Sequence, residues 1–246
     1  YYVFDVFVAD VPTFLKDNIK FCKEAYKRGT SFCIETSKNN SPIIIDIFTT
    51  DLLKNNLALK LNKMRIAIDF KFIILKDGTI KFDSVSRKKI KITNRTNFHD
   101  IKKLNSSNVC LDDNFKELIL YKEMVEKVIS KKENYYLKDA RKDFVSFSSL
   151  LVNYFIGKES EFAIYREGKY VKQNIDFYTQ SVTPLRRFVS NINLAFFLNQ
   201  KGVVLFNRKS LNYAKDNKDE IIAHLNEREG IKTLAKTYPR TISRYL

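Results

Sequence analysis

Between residues 64 and 92 the chain alternates strictly. Ile66, Ile68, Phe70 and Phe72 fall on one side and Arg65, Ala67, Asp69 and Lys71 on the other, the period-two signature of a strand with one buried face. Asp77-Gly78 then supplies a turn, and Ile80, Phe82 and the 85–92 stretch return, so the segment predicts a β-hairpin. Its far end is basic, with Arg87, Lys88, Lys89, Lys91 and Arg95. Lysines there suit a sheet edge guarded against further pairing and suit phosphate contact equally well.

Elsewhere the pattern is less regular. Residues 1–11 are rich in Val and Phe and alternate weakly, which predicts a strand interrupted by Pro12. Ile19, Cys22, Ala25 and Tyr26 recur at helical spacing within 16–28. Residues 30–36 and 43–48 read as short β segments split by the turn-forming Lys38-Asn39-Asn40-Ser41-Pro42. From about residue 112 the period becomes helical. Residues 114–131 gather Phe115, Leu118, Ile119, Val125 and Ile129, and residues 143–157 gather Phe144, Phe147, Leu150, Leu151, Tyr154 and Phe155. Thr183-Pro184 predicts a third helix from Pro184 to about Gln200, with Thr183 as its N-cap. A fourth covers about 217–237. Strands first and helices after predict the α+β class.

Composition narrows the function classes. The 246 residues are 44% hydrophobic and 13% aromatic, with no Trp, too apolar for a disordered tail. No apolar run approaches the ~18 residues of a membrane span, so no membrane partner is expected. The three cysteines, Cys22, Cys33 and Cys110, lack ligand spacing. They predict neither a disulfide framework nor a zinc site, and favour a reducing, intracellular setting. The opening Tyr1-Tyr2-Val3-Phe4-Asp5 has no initiating Met and no basic leader, and reads as the start of a fragment. Lys plus Arg exceed Asp plus Glu by 44 to 28, a net +16. That excess points to a polyanionic partner, most simply nucleic acid; a merely basic protein from a Lys- and Asn-rich proteome is the alternative.

Several segments resemble the ribonuclease II / ribonuclease R (RNB) catalytic domain. Val6-Phe7-Val8-Ala9-Asp10-Val11 with Glu24-Ala25-Tyr26-Lys27-Arg28-Gly29-Thr30-Ser31 is similar to the family's "VHIADV … EAYKRGTS". Residues 51–75 resemble the segment ending "RLALSVEFEID", and Asp77-Gly78 falls on its "DG" turn. Asn153 with Ile164-Tyr165-Arg166 resembles "LAN … IYR", Thr183-Pro184-Leu185-Arg186-Arg187-Phe188 resembles "SPIRRY", and Leu225-Asn226-Glu227-Arg228 resembles "LNER". The matches run in the family's order over nearly the whole chain.

The resemblance implies an RNB-like domain over residues 1–246, N-terminally incomplete and without the flanking cold-shock and S1 barrels, built as a mixed or antiparallel sheet surrounded by helices. It implies a processive 3′→5′ exoribonuclease, a hydrolase of single-stranded RNA that threads a basic channel to Mg²⁺ ions held by carboxylates. Cations along the backbone and aromatic faces for bases are what such a channel needs. By the same resemblance Arg186 would grip a terminal phosphate, with Arg187, Tyr165, Arg166 and Arg28 along the RNA path. A cation at a helix start is electrostatically unfavourable, which for Arg186 favours an anionic ligand.

The departures fall on the chemistry. The family's metal-binding aspartates lie ahead of the segment matching Ala9-Asp10, so no metal ligand is assigned, and Mg²⁺ is expected only if the chain is active. Asp10 reads as a structural residue of the strand-to-loop turn. The RNA-clamping tyrosine falls on Cys33, an expected aspartate and histidine fall on Ser190 and Leu194, and a Glu-Arg pair falls on Lys236-Thr237. Three readings stand: an exoribonuclease completed by an absent segment, an RNA-binding RNB domain that has lost hydrolysis, and a structural subunit of a ribonucleoprotein or an exosome- or degradosome-like assembly. The sequence commits to RNA and leaves catalysis open.

Overall fold

A computed structural model describes residues 1–34, 43–94, 113–134, 137, 144–164 and 179–242. Strand β1 (Tyr2–Ala9) leads into helices α1 (Val11–Asp17) and α2 (Ile19–Arg28). Short strands β2 (Phe32–Ile34) and β3 (Ile43–Ile45) pair with each other, and a helical turn, α3 (Thr50–Leu52), widens over Leu53–Leu57. The long strands β4 (Met64–Ile74) and β5 (Ile80–Lys91) follow. Then come α4 (Asp113–Ser130), α5 (Phe144–Glu159), α6 (Phe188–Gln200), α7 (Arg208–Asp216) and α8 (Lys218–Ile242).

The main sheet has the order β1-β4-β5 and is antiparallel throughout. The expected hairpin is present. Gly78 sits at φ +83 in the turn, donating its N–H to the Leu75 carbonyl at 2.9 Å. A left-handed residue closes such a turn without strain only as glycine. The end of α4 packs on that turn: Asn134 donates to the Gly78 carbonyl at 3.1 Å, and Lys131 pairs with Asp77 at 2.9 Å.

Alternation decides where the sheet's core lies. Val8, Ile68, Phe70, Phe72 and Ile74 are buried on one face. Against them pack Val125 and Val128 of α4, Phe147, Leu151 and Phe155 of α5, and Leu194 and Phe197 of α6. At roughly 25 cal/mol per Å² of apolar surface removed from water, this contact is the main stabilising term. A smaller core joins Val11 and Leu15 of α1, Ala25 of α2, Ile47, Phe48 and Phe188.

Three boundaries differ from expectation. Pro12 does not merely interrupt β1; it occupies the first turn of α1, where its missing N–H costs nothing. The third helix begins at Phe188, not Pro184, because the N–H groups of Arg186 and Arg187 both donate to the Thr183 carbonyl at 3.0 Å and close a separate turn. Helix α7 has no counterpart in the sequence reading. Its start is marked by Asn207, whose side chain accepts from the Lys209 and Ser210 N–H groups.

Candidate nucleic-acid interface

The structure joins two of the segments that carry the family resemblance. Helix α2 ends on Gly29, at φ +70, whose N–H returns to the Ala25 carbonyl. The chain leaving it pairs with residues 186–188. The Phe188 N–H donates to the Gly29 carbonyl and the Ser31 N–H to the Arg186 carbonyl, both at 2.8 Å, flanking an antiparallel Thr30–Arg187 bridge. A third segment closes from above. On α8, Leu225 and Arg228 pack against Gly29, and a recess is lined by Thr30, Gln180, Arg187, Leu225, Asn226 and Glu229.

Buried amides hold the irregular segment that delivers Arg186 and Arg187. Asn153 accepts from the Ser181 N–H at 2.8 Å. Asn193 accepts from the Ile164 N–H and donates to the Ile164 and Gln180 carbonyls. Asn191 donates to the Pro184 carbonyl at 2.9 Å. Buried peptide groups demand partners, and these side chains supply them.

The three arginines placed here are not equivalent. Arg28 donates to Glu24 at 2.8 Å and to the Asp46 carbonyl at 2.9 Å. The hydrogen bond from Arg28 holds the Glu24 carboxyl below its ordinary range. Arg187 donates to Gln180 at 2.7 Å and pairs with Glu229 at 3.2 Å. Arg186 is exposed, and its guanidinium has no partner among the described residues. Its helix-start setting is also revised: it lies in the turn two residues ahead of α6. Tyr165 and Arg166 lie outside the described residues, as do Arg95 and Cys110. Gln180 and Glu229 escaped the sequence reading, although Glu229 follows directly on the Leu225–Arg228 motif.

The departures from the family pattern have structural places. Cys33 is half-buried in β2, opposite Ile44. Ser190 is buried, its hydroxyl 3.1 Å from that of Thr183. Leu194 is fully buried in the main core, where a histidine would have to be desolvated. On β5, an edge strand, Arg87 pairs with Asp10 at 2.6 Å and Lys88 with Asp69 at 2.5 Å. Two of the basic hairpin residues thus serve the sheet itself.

The Mg²⁺ that the resemblance implies can be tested against the donor set. Among the described residues no three His, Cys, Asp or Glu side chains converge as an ion would require. The buried carboxylates Asp10 and Asp69 are each committed to a neighbouring cation, which lowers their value to a metal. The described residues do not fit the ion.

No family model and no curated protein matches this sequence. Solved structures do. Ribonuclease R from Mycoplasma genitalium, in complex with ribose-methylated single-stranded RNA, superposes with a TM-score of 0.73 over 99% of this chain and 52% of its own, at 12% identity. An active-site mutant of the Dss1 exoribonuclease from Candida glabrata gives 0.67 over 97% of this chain and 41% of its own, at 12% identity. Yeast Ssd1, a pseudonuclease, gives 0.64 over 95% and 40%, at 10% identity. The chain spans about half the length of these structures or less. Over nearly its whole length, then, this polypeptide has the fold of these solved structures, an RNB-like fold that the order of its sequence motifs anticipates.

Proposed function

We propose that this chain binds single-stranded RNA on an RNB-like scaffold, holding a backbone phosphate with Arg186, and that its own residues do not hydrolyse the strand. The observation that carries this reading is the inequality of the arginines. Arg28 and Arg187 are neutralised by Glu24 and Glu229, whereas Arg186, fixed at the same junction by its main chain, is exposed and has no guanidinium partner among the described residues. Such a fork binds a phosphate bidentately and without reading bases. Arg28 and Arg187 are positioning residues here, shaping the turn from which Arg186 projects.

Two facts add support. The net charge of +16 is of the sign and size that RNA binding uses. A ribonuclease R of the same fold is solved with single-stranded RNA bound. The fold itself is compatible with loss of hydrolysis, since it also occurs in a pseudonuclease.

The test is a titration of 5′-fluorescein-labelled single-stranded RNA by fluorescence anisotropy, followed by gel analysis of the same RNA incubated with Mg²⁺. Binding should weaken steeply as salt rises, and the RNA should keep its length. Salt-independent binding would defeat the phosphate reading. Stepwise shortening would defeat the claim that hydrolysis is absent.

A further inference from the structure

A second surface lies apart from the arginine turn. Helices α1, α2, α6 and α7 frame an open groove of about 390 Å³. Its floor is apolar: Leu15, Phe188 and Phe196 are buried there, with Ile192 between them. Its lips are Ile19, 66% exposed, and Tyr213, 61% exposed. Cys22 lines the same wall, and burial pushes its thiol up from the ordinary range, so it stays neutral. The facing wall is α7, which contains no fully buried residue and turns Leu211 and Ala214 into the groove. An amphipathic helix normally buries that stripe against its own protein.

The charges are one-sided. The ionisable groups of formal charge on the lining are Lys16 and Lys23, with no carboxylate among the lining residues. Neither lysine has an ion-pair partner among the described residues. Along α2, Lys20 and Lys27 add positive charge on either side of Glu24, which is paired with Arg28, and a carboxylate felt by a lining residue is Glu220, acting on Tyr26. An occupant must bring aliphatic side chains for the floor and carboxylates for the rim.

RNA would bring phosphates as anions for the rim but no aliphatic groups for the floor. A strand without sequence preference stacks its bases on open ring faces. The rings on the floor are taken: Tyr26 packs on His224 at 4.5 Å and on Phe188 at 5.4 Å, and Phe196 on Phe162 at 4.3 Å, which leaves Tyr213 on the lip as the exposed ring of the lining.

We infer that this groove is a docking site for an amphipathic helix of a protein partner, its apolar stripe seated on Leu15, Phe188 and Ile192 and its acidic flank facing Lys16 and Lys23. Charge complementarity selects that partner over a basic one.

The probe is a fluorescein-labelled synthetic peptide of about 18 residues, long enough for a helix to persist, with Leu at i, i+3, i+4 and i+7 and Glu elsewhere. Its control carries Lys in place of Glu. Anisotropy titrations with the full chain should show the Glu peptide binding about tenfold or more tightly than the Lys peptide. Ile19→Glu and Lys23→Glu, both at exposed positions, should each weaken it severalfold, with circular dichroism unchanged. Arg186→Ala should leave peptide binding intact, which separates this surface from the RNA reading. Equal affinity for the two peptides, or none for either, would overturn the proposal. So would displacement of the peptide by single-stranded RNA, or a dimer in sedimentation that Ile19→Glu dissolves, since RNA or a second copy would then be the occupant.

Discussion

Arg228 stands where a β-carbon on Gly29 would have to go: its Cγ and Cβ lie 2.8 and 2.9 Å from that position. With φ at +70, Gly29 has both a backbone conformation and a neighbour that exclude other residues. Gly29→Ala should cost about 1–3 kcal/mol, read as a shift of the urea midpoint without a change in slope. RNA affinity should fall with it, because the Gly29 carbonyl holds the Phe188 N–H beside the arginines. An unchanged midpoint would show that α8 does not press on this turn.

Arg186 and Arg187 should separate binding from stability. Arg186→Ala removes an exposed guanidinium with no partner among the described residues and should weaken single-stranded RNA binding about tenfold while leaving the thermal midpoint in place. Arg187→Ala strips Glu229 and Gln180 of a shared donor and should cost about 1–3 kcal/mol of stability. Thermal melts and anisotropy on the two variants side by side decide the matter. Equal effects on RNA would remove the special role of Arg186.

Asp77 gives the fold an acid-sensitive joint. The Thr79 N–H, then Lys131 and the Thr79 hydroxyl, hold its carboxyl well below the ordinary value of 3.8. A carboxyl lowered in the folded state stabilises above its unfolded pKa and loses that contribution as pH falls toward the folded one. Thermal midpoints should therefore decline below about pH 4, and Asp77→Asn should flatten part of that decline. Identical pH profiles for the two proteins would show that the joint does not titrate with folding.

Asp10 is 3% exposed at its side chain and is neutralised by Arg87. Its second oxygen is buried with no hydrogen-bond partner among the described residues. Arg87→Met should destabilise by about 2–4 kcal/mol, tempered by the partial exposure of Arg87. The pair Asp10→Asn with Arg87→Met should recover most of the loss. A measured coupling near zero in the double-mutant cycle would assign Arg87 to solvent rather than to Asp10.

These sites differ in how visible they are in the sequence. The β4–β5 hairpin was legible because its signal is local: strict alternation, then Asp77-Gly78. Helix α1 was hidden because Pro12 breaks a strand and opens a helix with equal ease, and only the burial of Val11 and Leu15 chooses. Helix α7 was hidden because its apolar stripe is only Leu211, Tyr213 and Ala214 within nine residues, and none of them is buried. The start of α6 differs from the sequence expectation because Arg186 and Arg187 close a turn on the Thr183 carbonyl, which Asn191 of α6 braces through the Pro184 carbonyl. Arg186 was legible through its motif. Its freedom was not, because that depends on where Glu24, Gln180 and Glu229 arrive from other elements.

The stitch between residues 29–31 and 186–188 is made by peptide groups, and the amides of Asn153, Asn191 and Asn193 brace it by gripping main chain. Peptide groups are common to every amino acid, so such an anchorage survives wholesale replacement of side chains around it. An anchorage of that kind suits a chain that keeps the fold of ribonuclease R at 12% identity.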